Sequence, residues 1–249
     1  PFHHRWWIND PDCLLLRRTE TQLSEAEVQA LVTVVALSGG AAMVSDDLLA
    51  LDAERRNWLA RLCPPLPGRM RVVDFLEEER PKLLLLDLAG PIGKWWLIAI
   101  LNWEEEEQRF EIPLEVLGLN PSLDYHSIEY WNAQYTSVHD SVLRSGPIAA
   151  HGVELIALRE ARDESQWVGD TLHISQGLCV KSWDHRDRTL SVMIDCGRRA
   201  QGQVWLSLPG PPKSLRVQGC ELEYKAVSAK VYSFYLEIDG SEILEIVQS

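Results

Sequence analysis

The pattern of hydrophobic and polar residues changes its period near residue 64. Before that point, short apolar runs alternate with helical patterns. An aromatic strand is predicted at residues 5–8, followed by a polar loop. Ser24 and Glu27 form a capping box, and a helical repeat of apolar residues then runs to Gly39-Gly40, where the helix is predicted to end.

A second unit of the same kind follows directly. Ala41–Val44 is predicted as a buried strand, Ser45-Asp46-Asp47 as a polar strand end, and Leu48–Leu62 as an amphipathic helix that a proline-rich segment stops. Strands that alternate with helices are typical of parallel sheets. Eight such units close a barrel in about 250 residues. Residues 1–64 are therefore predicted to be the last two β/α units of a (β/α)8 barrel.

Beyond residue 69 the pattern consists of strand-like runs separated by glycine and proline turns. Their spacing predicts an antiparallel β-sandwich over residues 69–162. Residues 163–249 are predicted to form a second small β domain or an extension of the first. The predicted strands in that last range include Leu172–Ser175, Thr189–Asp195, Gly202–Leu208, Ser214–Val217, Lys230–Ile238 and Ile243–Val247. The expected fold class is mainly β.

Charge and cysteine content narrow the functional classes. The net charge of −13, from 37 acidic and 24 basic residues, argues against nucleic acid or an anionic membrane surface as a partner. No apolar run approaches the roughly 20 residues that span a bilayer. The five cysteines form no Cys-x-x-Cys pair, which favours a reduced, cytoplasmic setting. We expect no cofactor.

The segment Asn9-Asp10-Pro11-Asp12 contains the most informative polar residues. If the backbone is extended, Asp10 and Asp12 project to the same side, as paired carboxyl groups about 5–5.5 Å apart do in retaining glycoside hydrolases. The alternative is a turn in which both side chains cap their own backbone, and spacing alone favours it. A metal site with His3 and His4 is also conceivable. Adjacent histidines on a strand face opposite ways, so no metal is predicted.

Three further features have two interpretations each. Cys13 could be a nucleophile, but no base lies near it in sequence, and inert packing is the better interpretation. Ser45-Asp46-Asp47 is either a helix cap, the preferred interpretation, or a pocket rim. Most tryptophans are expected to fill cores, whereas in the Trp6-Trp7 pair one ring can line an interior near Asp12.

The segment Trp7-Ile8-Asn9-Asp10-Pro11-Asp12-Cys13-Leu14 with Arg17, then Ala36–Gly40 and Ser45–Leu48, resembles the melibiase or raffinose-type α-galactosidases. These are retaining glycoside hydrolases with a (β/α)8 barrel and a C-terminal β-sandwich. The resemblance implies that Asp12, Cys13 and Trp7 contact the sugar. Asn9, Asp10 and Arg17 would support the pocket.

The resemblance also implies what is missing. In that family the nucleophile and the acid/base are aspartates on earlier strands, in Lys-x-Asp and Arg-x-x-x-Asp contexts, and neither context precedes this motif. A pocket that begins at residue 2 lacks most of its walls. The chain is therefore expected to be an inactive C-terminal fragment, with no catalytic residue of its own, whose partners are an α-galactoside and the missing N-terminal barrel. Because the chain is expected to lack its N-terminal part, the sequence is also compatible with a signal peptide that precedes it.

The competing class is a non-catalytic carbohydrate-binding or structural β module, motivated by the ten tryptophans and the sandwich-like strands. A metal-dependent hydrolase that uses His3, His4 and Asp10 is a third possibility, and it predicts bound metal.

Overall fold

The computed structural model describes residues 5–248 and is mainly β, with 44% strand and 9% helix, which confirms the predicted fold class. Its helices are α1 (Glu25–Ser38) and α2 (Ala53–Ala60). Its strands, numbered along the chain, are β1 (Cys13–Leu14), β2 (Met43–Val44), β3 (Arg71–Val72), β4 (Leu83–Gly90), β5 (Gly93–Leu101), β6 (Glu111–Pro113), β7 (Tyr125–Glu129), β8 (Gln134–Val138), β9 (Val142–Arg144), β10 (Val153–Glu160), β11 (Gln166–Asp170), β12 (Val180–Arg186), β13 (Thr189–Ser207), β14 (Ser214–Val217), β15 (Cys220–Glu221), β16 (Tyr224–Ala226) and β17 (Val231–Val247).

The described chain divides into two compact units, each assembled from discontinuous ranges. The first contains the residues through Leu88 together with Trp96–Asp124 and Val138–Ile156. The second contains Ala89–Trp95, Tyr125–Ser137 and the residues from Ala157 onward. The predicted ranges 1–64, 69–162 and 163–249 are contiguous and do not coincide with these units; that division stays a prediction.

In the first unit, β1 and β2 form a parallel pair with Cys13 opposite Met43 and Leu14 opposite Val44, and α1 connects them. The predicted caps of α1 are confirmed. Ser24 accepts a hydrogen bond from the Glu27 backbone N–H, and the Glu27 carboxylate accepts one from the Ser24 N–H, which lowers the pKa of Glu27. Gly39 ends the helix in the left-handed conformation, with φ 70°.

The second helix is shorter than the predicted Leu48–Leu62. It begins after Asp52, whose side chain accepts from the Arg55 backbone N–H at 2.8 Å. The preferred interpretation of Ser45-Asp46-Asp47 as its cap is therefore wrong. Asp47 instead accepts from the Leu49 N–H at 3.0 Å, and this local turn keeps residues 47–50 out of the helix.

The predicted aromatic strand at residues 5–8 is also wrong, because the described backbone turns there and the first strand begins at Cys13. Trp6, Trp7 and Ile8 are 79%, 56% and 69% exposed. The burial that would favour an extended apolar strand at this position is therefore missing.

Antiparallel pairing predominates after residue 69. β3 pairs with β4, with Arg71 opposite Leu85, and β6 pairs with β9. A six-stranded sheet has the order β3-β4-β5-β10-β7-β8. Most predicted strands in this range match observed ones, but the predicted Ser137–Val142 falls across the gap between β8 and β9.

The second unit contains a seven-stranded antiparallel sheet in the order β11-β13-β17-β14-β15, with β12 paired to β13 and β16 to β17. Thr189–Asp195 and Gly202–Leu208, predicted as two strands, lie in the single long strand β13. Lys230–Ile238 and Ile243–Val247 likewise merge into β17. The register between β13 and β17 shifts in the middle of both strands, where residues 196–198 lie opposite Gly240. Gly197 and Gly240 both have positive φ, at 63° and 76°. The turn signals mark a β-bulge in continuous strands.

The predicted strand Leu172–Ser175 is a turn. Asp170, at the end of β11, accepts from the backbone N–H groups of Leu172 at 2.9 Å and His173 at 3.3 Å, and from the Trp167 indole at 3.1 Å. Asp170 is fully buried, and this burial raises its pKa to about 6. Arg159, also buried, lies over the Trp95 ring at 4.5 Å, and burial lowers its pKa to about 9. These groups are held by hydrogen bonds and ring contact inside an apolar core.

That core is built from alternate residues of the two long strands. It includes Leu190, Val192, Ile194, Val204, Leu206, Leu236, Ile238, Leu244 and Ile246, all at most 2% exposed. Because side chains on a strand alternate between faces, this spacing buries one face of each strand. Within residues 5–248, neither helix has the length and apolar character that crossing a bilayer requires.

Candidate functional site

The Asn9–Asp12 segment forms a turn that its own side chains close. Asp10 Oδ1 accepts from the Asp12 backbone N–H at 3.2 Å, and Asp12 Oδ1 accepts from the Cys13 N–H at 2.8 Å. Asp12 has a left-handed φ of 66°. The extended geometry that would place Asp10 and Asp12 on one side is therefore wrong, and the turn interpretation is confirmed.

Asn9 attaches this turn to the end of α1. Its amide Nδ2 donates to the Ser38 carbonyl at 3.1 Å, and its Oδ1 accepts from the Trp7 indole N–H at 3.2 Å. Gly40 packs directly on the Asn9 backbone, since a Cβ at Gly40 would lie 2.0 Å from the Asn9 carbonyl oxygen. Gly40 was predicted only as part of a helix stop; the structure shows that it also allows this close approach.

The exposed groups on this surface are Trp7, Asp10 and Asp12, and Cys13 is half-buried at the start of β1. We call this set, with Asn9, the Asp12 turn. The exposed Trp7 ring can stack on an apolar face of a ligand, and the exposed carboxylates can accept hydrogen bonds from hydroxyl groups.

Arg17 lies in a different place, beyond the carboxyl end of β1. Its Nε contacts Asp46 Oδ1 at 2.7 Å, an ion pair in which the N–H is not directed at the oxygen. Asp46 Oδ2 also accepts from the backbone N–H groups of Leu16 and Arg17. The Asp46 side chain is 2% exposed. Asp46 therefore ties the loop after β2 to the loop after β1.

A cavity of about 290 Å³ opens beside this pair. Its charged lining consists of Arg17, Arg18, Glu20, Asp46, Asp47, Asp52 and Arg55. Ser45 also lines it, so the segment Ser45-Asp46-Asp47 lies on a cavity rim, the second of the two sequence interpretations.

Arg18 holds the acidic groups around this cavity together. It contacts Asp52 and Glu25 at 2.7 Å each, and also Glu54. The hydrogen bond to Asp52 raises the pKa of Arg18, and the pKa of Asp52 falls because the carboxylate caps α2. The result is an exposed guanidinium that three carboxylates neutralise.

Arg55 is almost buried and lies 3.9 Å over the Trp58 ring. It pairs with Glu25 at 2.7 Å through Nη2, while its Nε and Nη1 have no hydrogen-bond partner among the described residues. Burial lowers the pKa of this guanidinium. Arg55 therefore lines the cavity with a buried guanidinium in which two nitrogens have no acceptor among the described residues.

The six predicted site residues thus fall into two groups. Trp7, Asn9, Asp10 and Asp12 precede β1, whereas Arg17 follows it, and in a parallel pair the segments before and after the strands lie at opposite ends. Cys13 is the first residue of the strand and belongs to the first group. Sequence reasoning missed Arg18 and Arg55, and only the polar strand end at Asp46 signalled the cavity.

The metal hypothesis receives no geometric support from the described part of the chain. His3 and His4 lie outside the described residues. Among residues 5–248, no group of three or more His, Cys, Asp and Glu side chains is arranged to hold a metal ion.

No protein-family profile matches this chain. Among solved structures, it is similar to a GH27 β-L-arabinopyranosidase from Geobacillus stearothermophilus, with 16% identity, 61% of this chain and 37% of that chain covered, and a TM-score of 0.49. For α-galactosidase I from Mortierella vinacea the identity is 12%, the coverage 60% and 39%, and the TM-score 0.47.

An α-galactosidase from Saccharomyces cerevisiae, solved with raffinose, is similar at 13% identity, with 60% of this chain and 46% of that chain covered and a TM-score of 0.44. The matches thus span less than half of each of these three relatives. Over about 60% of its length, the chain is similar in structure to the C-terminal part of GH27 glycosidases.

Proposed function

We propose that this chain is the C-terminal part of a retaining glycoside hydrolase that acts on terminal α-galactosides by double displacement through a covalent glycosyl-enzyme. In this proposal the chain contributes a sugar-binding loop and a β-rich region. The nucleophile and the acid/base lie elsewhere in the protein. The observation that carries the proposal is the Asp12 turn, which contains an exposed Trp7 ring bonded to Asn9 and the exposed carboxylates of Asp10 and Asp12.

The geometry of the turn suits binding. Trp7 is 56% exposed and its indole N–H is bonded to Asn9, so the ring is oriented without a ligand. Asp12 uses Oδ1 for the Cys13 N–H, which leaves Oδ2 for a hydroxyl group. Sugars offer an apolar CH face and a rim of hydroxyl groups, which match a ring and a carboxylate.

The same geometry favours a binding role over a catalytic one for the two aspartates. In each aspartate, one carboxylate oxygen accepts from a backbone N–H of the same turn. The left-handed φ of Asp12 also removes the extended backbone that would place both carboxylates on one side. The catalytic groups are therefore assigned to the rest of the enzyme.

The missing partner in this proposal is the N-terminal barrel of the same protein. β1 and β2 have only two residues each and pair with each other as a separate two-stranded sheet. Such short parallel strands ordinarily lie inside larger sheets covered on both faces. Further β/α units beside them would cover the exposed apolar side chains of Trp6 and Ile8.

The first test measures sugar binding by titration calorimetry with methyl α-galactoside. Asp12→Asn should weaken the affinity about tenfold or more, because a hydrogen bond to a charged acceptor contributes about 1.5–3 kcal/mol. Asp187→Asn is the matched control, since Asp187 is also an exposed aspartate with a left-handed φ, of 54°. Equal affinity in wild type and Asp12→Asn would contradict the assignment of Asp12.

The cavity beside Asp46 is the competing binding location in the same unit, and Arg18→Ala tests it. If that substitution weakens binding while Asp12→Asn does not, the sugar site lies at the cavity and not at the Asp12 turn.

The assignment of the catalytic groups to the rest of the enzyme has its own assay. Residues 1–249 should release no product from an aryl α-galactoside, and measurable release would show that the chemistry lies within this chain.

The alternative is a non-catalytic carbohydrate-binding module in the second unit. Tyr235 on β17 is 55% exposed and Tyr224 on β16 is 37% exposed, and both could stack on sugars. A glycan array separates the two functions. Specific binding that survives deletion of residues 1–64 would favour the module; binding that depends on those residues favours the glycosidase pocket.

A further inference from the structure

Two buried cysteines of the second unit are in direct contact. Cys179 and Cys196 are 1% and 4% exposed, and their Sγ atoms lie 3.0 Å apart. The other three cysteines, Cys13, Cys63 and Cys220, are half-buried or exposed. The contacting pair is therefore distinct from the rest, and it has no part in the proposed sugar site.

These two side chains reach the same core from β13 and from the turn before β12. The Cys179 carbonyl accepts from the Asp195 N–H at 2.7 Å, which places Cys179 opposite Asp195. In a regular antiparallel ladder, opposed residues share a face and the next residue faces away. Cys196 would then point away from Cys179. Cys196 in fact keeps the alternation of β13, since it is buried on the same face as Val192 and Ile194. Cys179 is the residue that departs from the ladder: it lies in the turn just before β12 and is buried in that same core. The two thiols therefore meet at the start of β12.

We infer that Cys179 and Cys196 form a disulfide bond when the protein meets a low-molecular-weight disulfide such as oxidised glutathione. The thiols already touch, and a disulfide requires the sulfur atoms to approach to about 2.0 Å. The bond would join the start of β12 to the bulge of β13.

The reaction is two successive thiol–disulfide exchanges. The Cys179 sulfur, after losing its proton, attacks one sulfur of oxidised glutathione, and one glutathione thiolate leaves. The Cys196 sulfur, after losing its proton, then attacks Cys179, and the second glutathione thiolate leaves. The protein loses two electrons and two protons, and oxidised glutathione gains both to become two thiols.

Access to the pair requires an opening of the structure. Both thiols are buried, and the pKa of Cys179 is raised by its hydrogen bond with Cys196 and by burial. Within the described residues, β12 pairs with β13 alone, so its other edge is free. Transient separation of β12 from β13 exposes Cys179, and the bond, once formed, opposes that separation.

The first experiment uses the triple variant Cys13→Ser/Cys63→Ser/Cys220→Ser, which keeps only the contacting pair. After incubation with oxidised glutathione under native conditions, both remaining thiols should disappear in a thiol titration. Peptide mass mapping should find one cross-link between Cys179 and Cys196. Two free thiols in the treated protein, or a separate glutathione on each cysteine, would overturn the inference.

A quadruple variant with Cys196→Ser is the matched control, and it should yield no internal cross-link.

The second experiment compares hydrogen exchange in the oxidised and reduced triple variant. Amides of Val180–Arg186 should exchange about tenfold or more slowly after cross-linking, because the bond constrains the opened state. Equal exchange rates at β12 would contradict the opening route and the constraint on this strand.

Discussion

Gly40 is a position where adding a single methyl group should reduce the stability of the protein. A methyl group there would lie 2.0 Å from the Asn9 carbonyl oxygen, a backbone atom that a side-chain rotation cannot move. We predict that Gly40→Ala destabilises the protein by about 1–3 kcal/mol, the usual cost of overpacking. Urea unfolding measures the change.

Gly210→Ala provides the control for that substitution. Gly210 has open space at the Cβ position and does not require positive φ. Its substitution should leave the unfolding free energy unchanged or slightly higher. If Gly40→Ala were as stable as Gly210→Ala, the close packing of the Asp12 turn on Gly40 would be wrong.

Asp170 should impose an unusual pH dependence on stability. Burial raises its pKa from 3.8 to about 6, so between these values the folded protein binds more protons than the unfolded chain. Stability from this group therefore falls as pH rises from about 4 to about 6, by about 3 kcal/mol in total. We predict that the stability difference between wild type and Asp170→Asn changes by this amount over that window, measured by urea unfolding at several pH values.

The contribution of Asp163 to stability changes with pH in the opposite direction, so Asp163 serves as a comparison. This exposed carboxylate accepts a hydrogen bond from Lys230, which lowers its pKa, and its contribution is lost as pH falls. Asp163→Asn should remove a small stabilisation present at neutral pH. A pH-independent difference between wild type and Asp170→Asn would show that Asp170 titrates normally in the folded state.

Whole elements differ in how well the sequence predicts them. Helix α1 is specified locally, because the Ser24–Glu27 box and Gly39 satisfy its ends within a few residues. Helix α2 is not, since Asp52 competes with Ser45-Asp46-Asp47 as a cap and only the three-dimensional position of Asp46 decides between them.

The long strands show a second limit of local patterns. Glycines at Gly197 and Gly240 look like turn residues, yet they form a bulge because β13 and β17 remain paired on both sides of it. A turn can use the same positive φ as this bulge, so here only the long-range register distinguishes the two. Asp170 similarly converts the apolar run after it into a turn by capping its N–H groups.

Asp46 joins two elements, and its loss should loosen both. We predict that Asp46→Ala destabilises the protein by about 3 kcal/mol, because it leaves two backbone N–H groups and Arg17 without their acceptor. This lies at the low end for a broken buried pair, since the Arg17 side chain is 37% exposed. Thermal and urea unfolding both measure the effect.

The neighbouring Asp47 is the control for Asp46. Asp47 is exposed and accepts one local hydrogen bond, from the Leu49 N–H. Asp47→Ala should cost less than about 1 kcal/mol. Similar losses in the two variants would mean that Asp46 does not connect the loops after β1 and β2.

For the whole molecule, the exposed apolar side chains of the first 64 residues predict association. Trp6, Ile8, Leu48 and Leu49 are 79%, 69%, 49% and 91% exposed. Such side chains favour contact with another apolar surface. We predict concentration-dependent association of residues 1–249 in light scattering, reduced by Leu49→Lys. Leu76→Lys, at a position 93% exposed but outside this segment, should change it little. A stable monomer at all concentrations would contradict the prediction.

The candidate site was only partly predictable at this scale. The sequence identifies the Asp12 turn because its polar residues are contiguous and its capping is local. It groups Arg17 with that turn by proximity along the chain, whereas the strand β1 separates them in space. The partners Asp46, Arg18 and Arg55 come from loops distant in sequence, and no local pattern joins them.

The pairing of β13 with β17 has a consequence for how fast the chain folds and unfolds. Ser207 lies opposite Val231, and the register continues to Thr189 opposite Val247, so the separation of partners along the chain grows steadily from one end of the ladder to the other. Closing a loop costs more entropy as it lengthens. The ladder should therefore form from Ser207 and Val231 outward. Substitutions near that end would slow folding, and those near Thr189 and Val247 would instead speed unfolding.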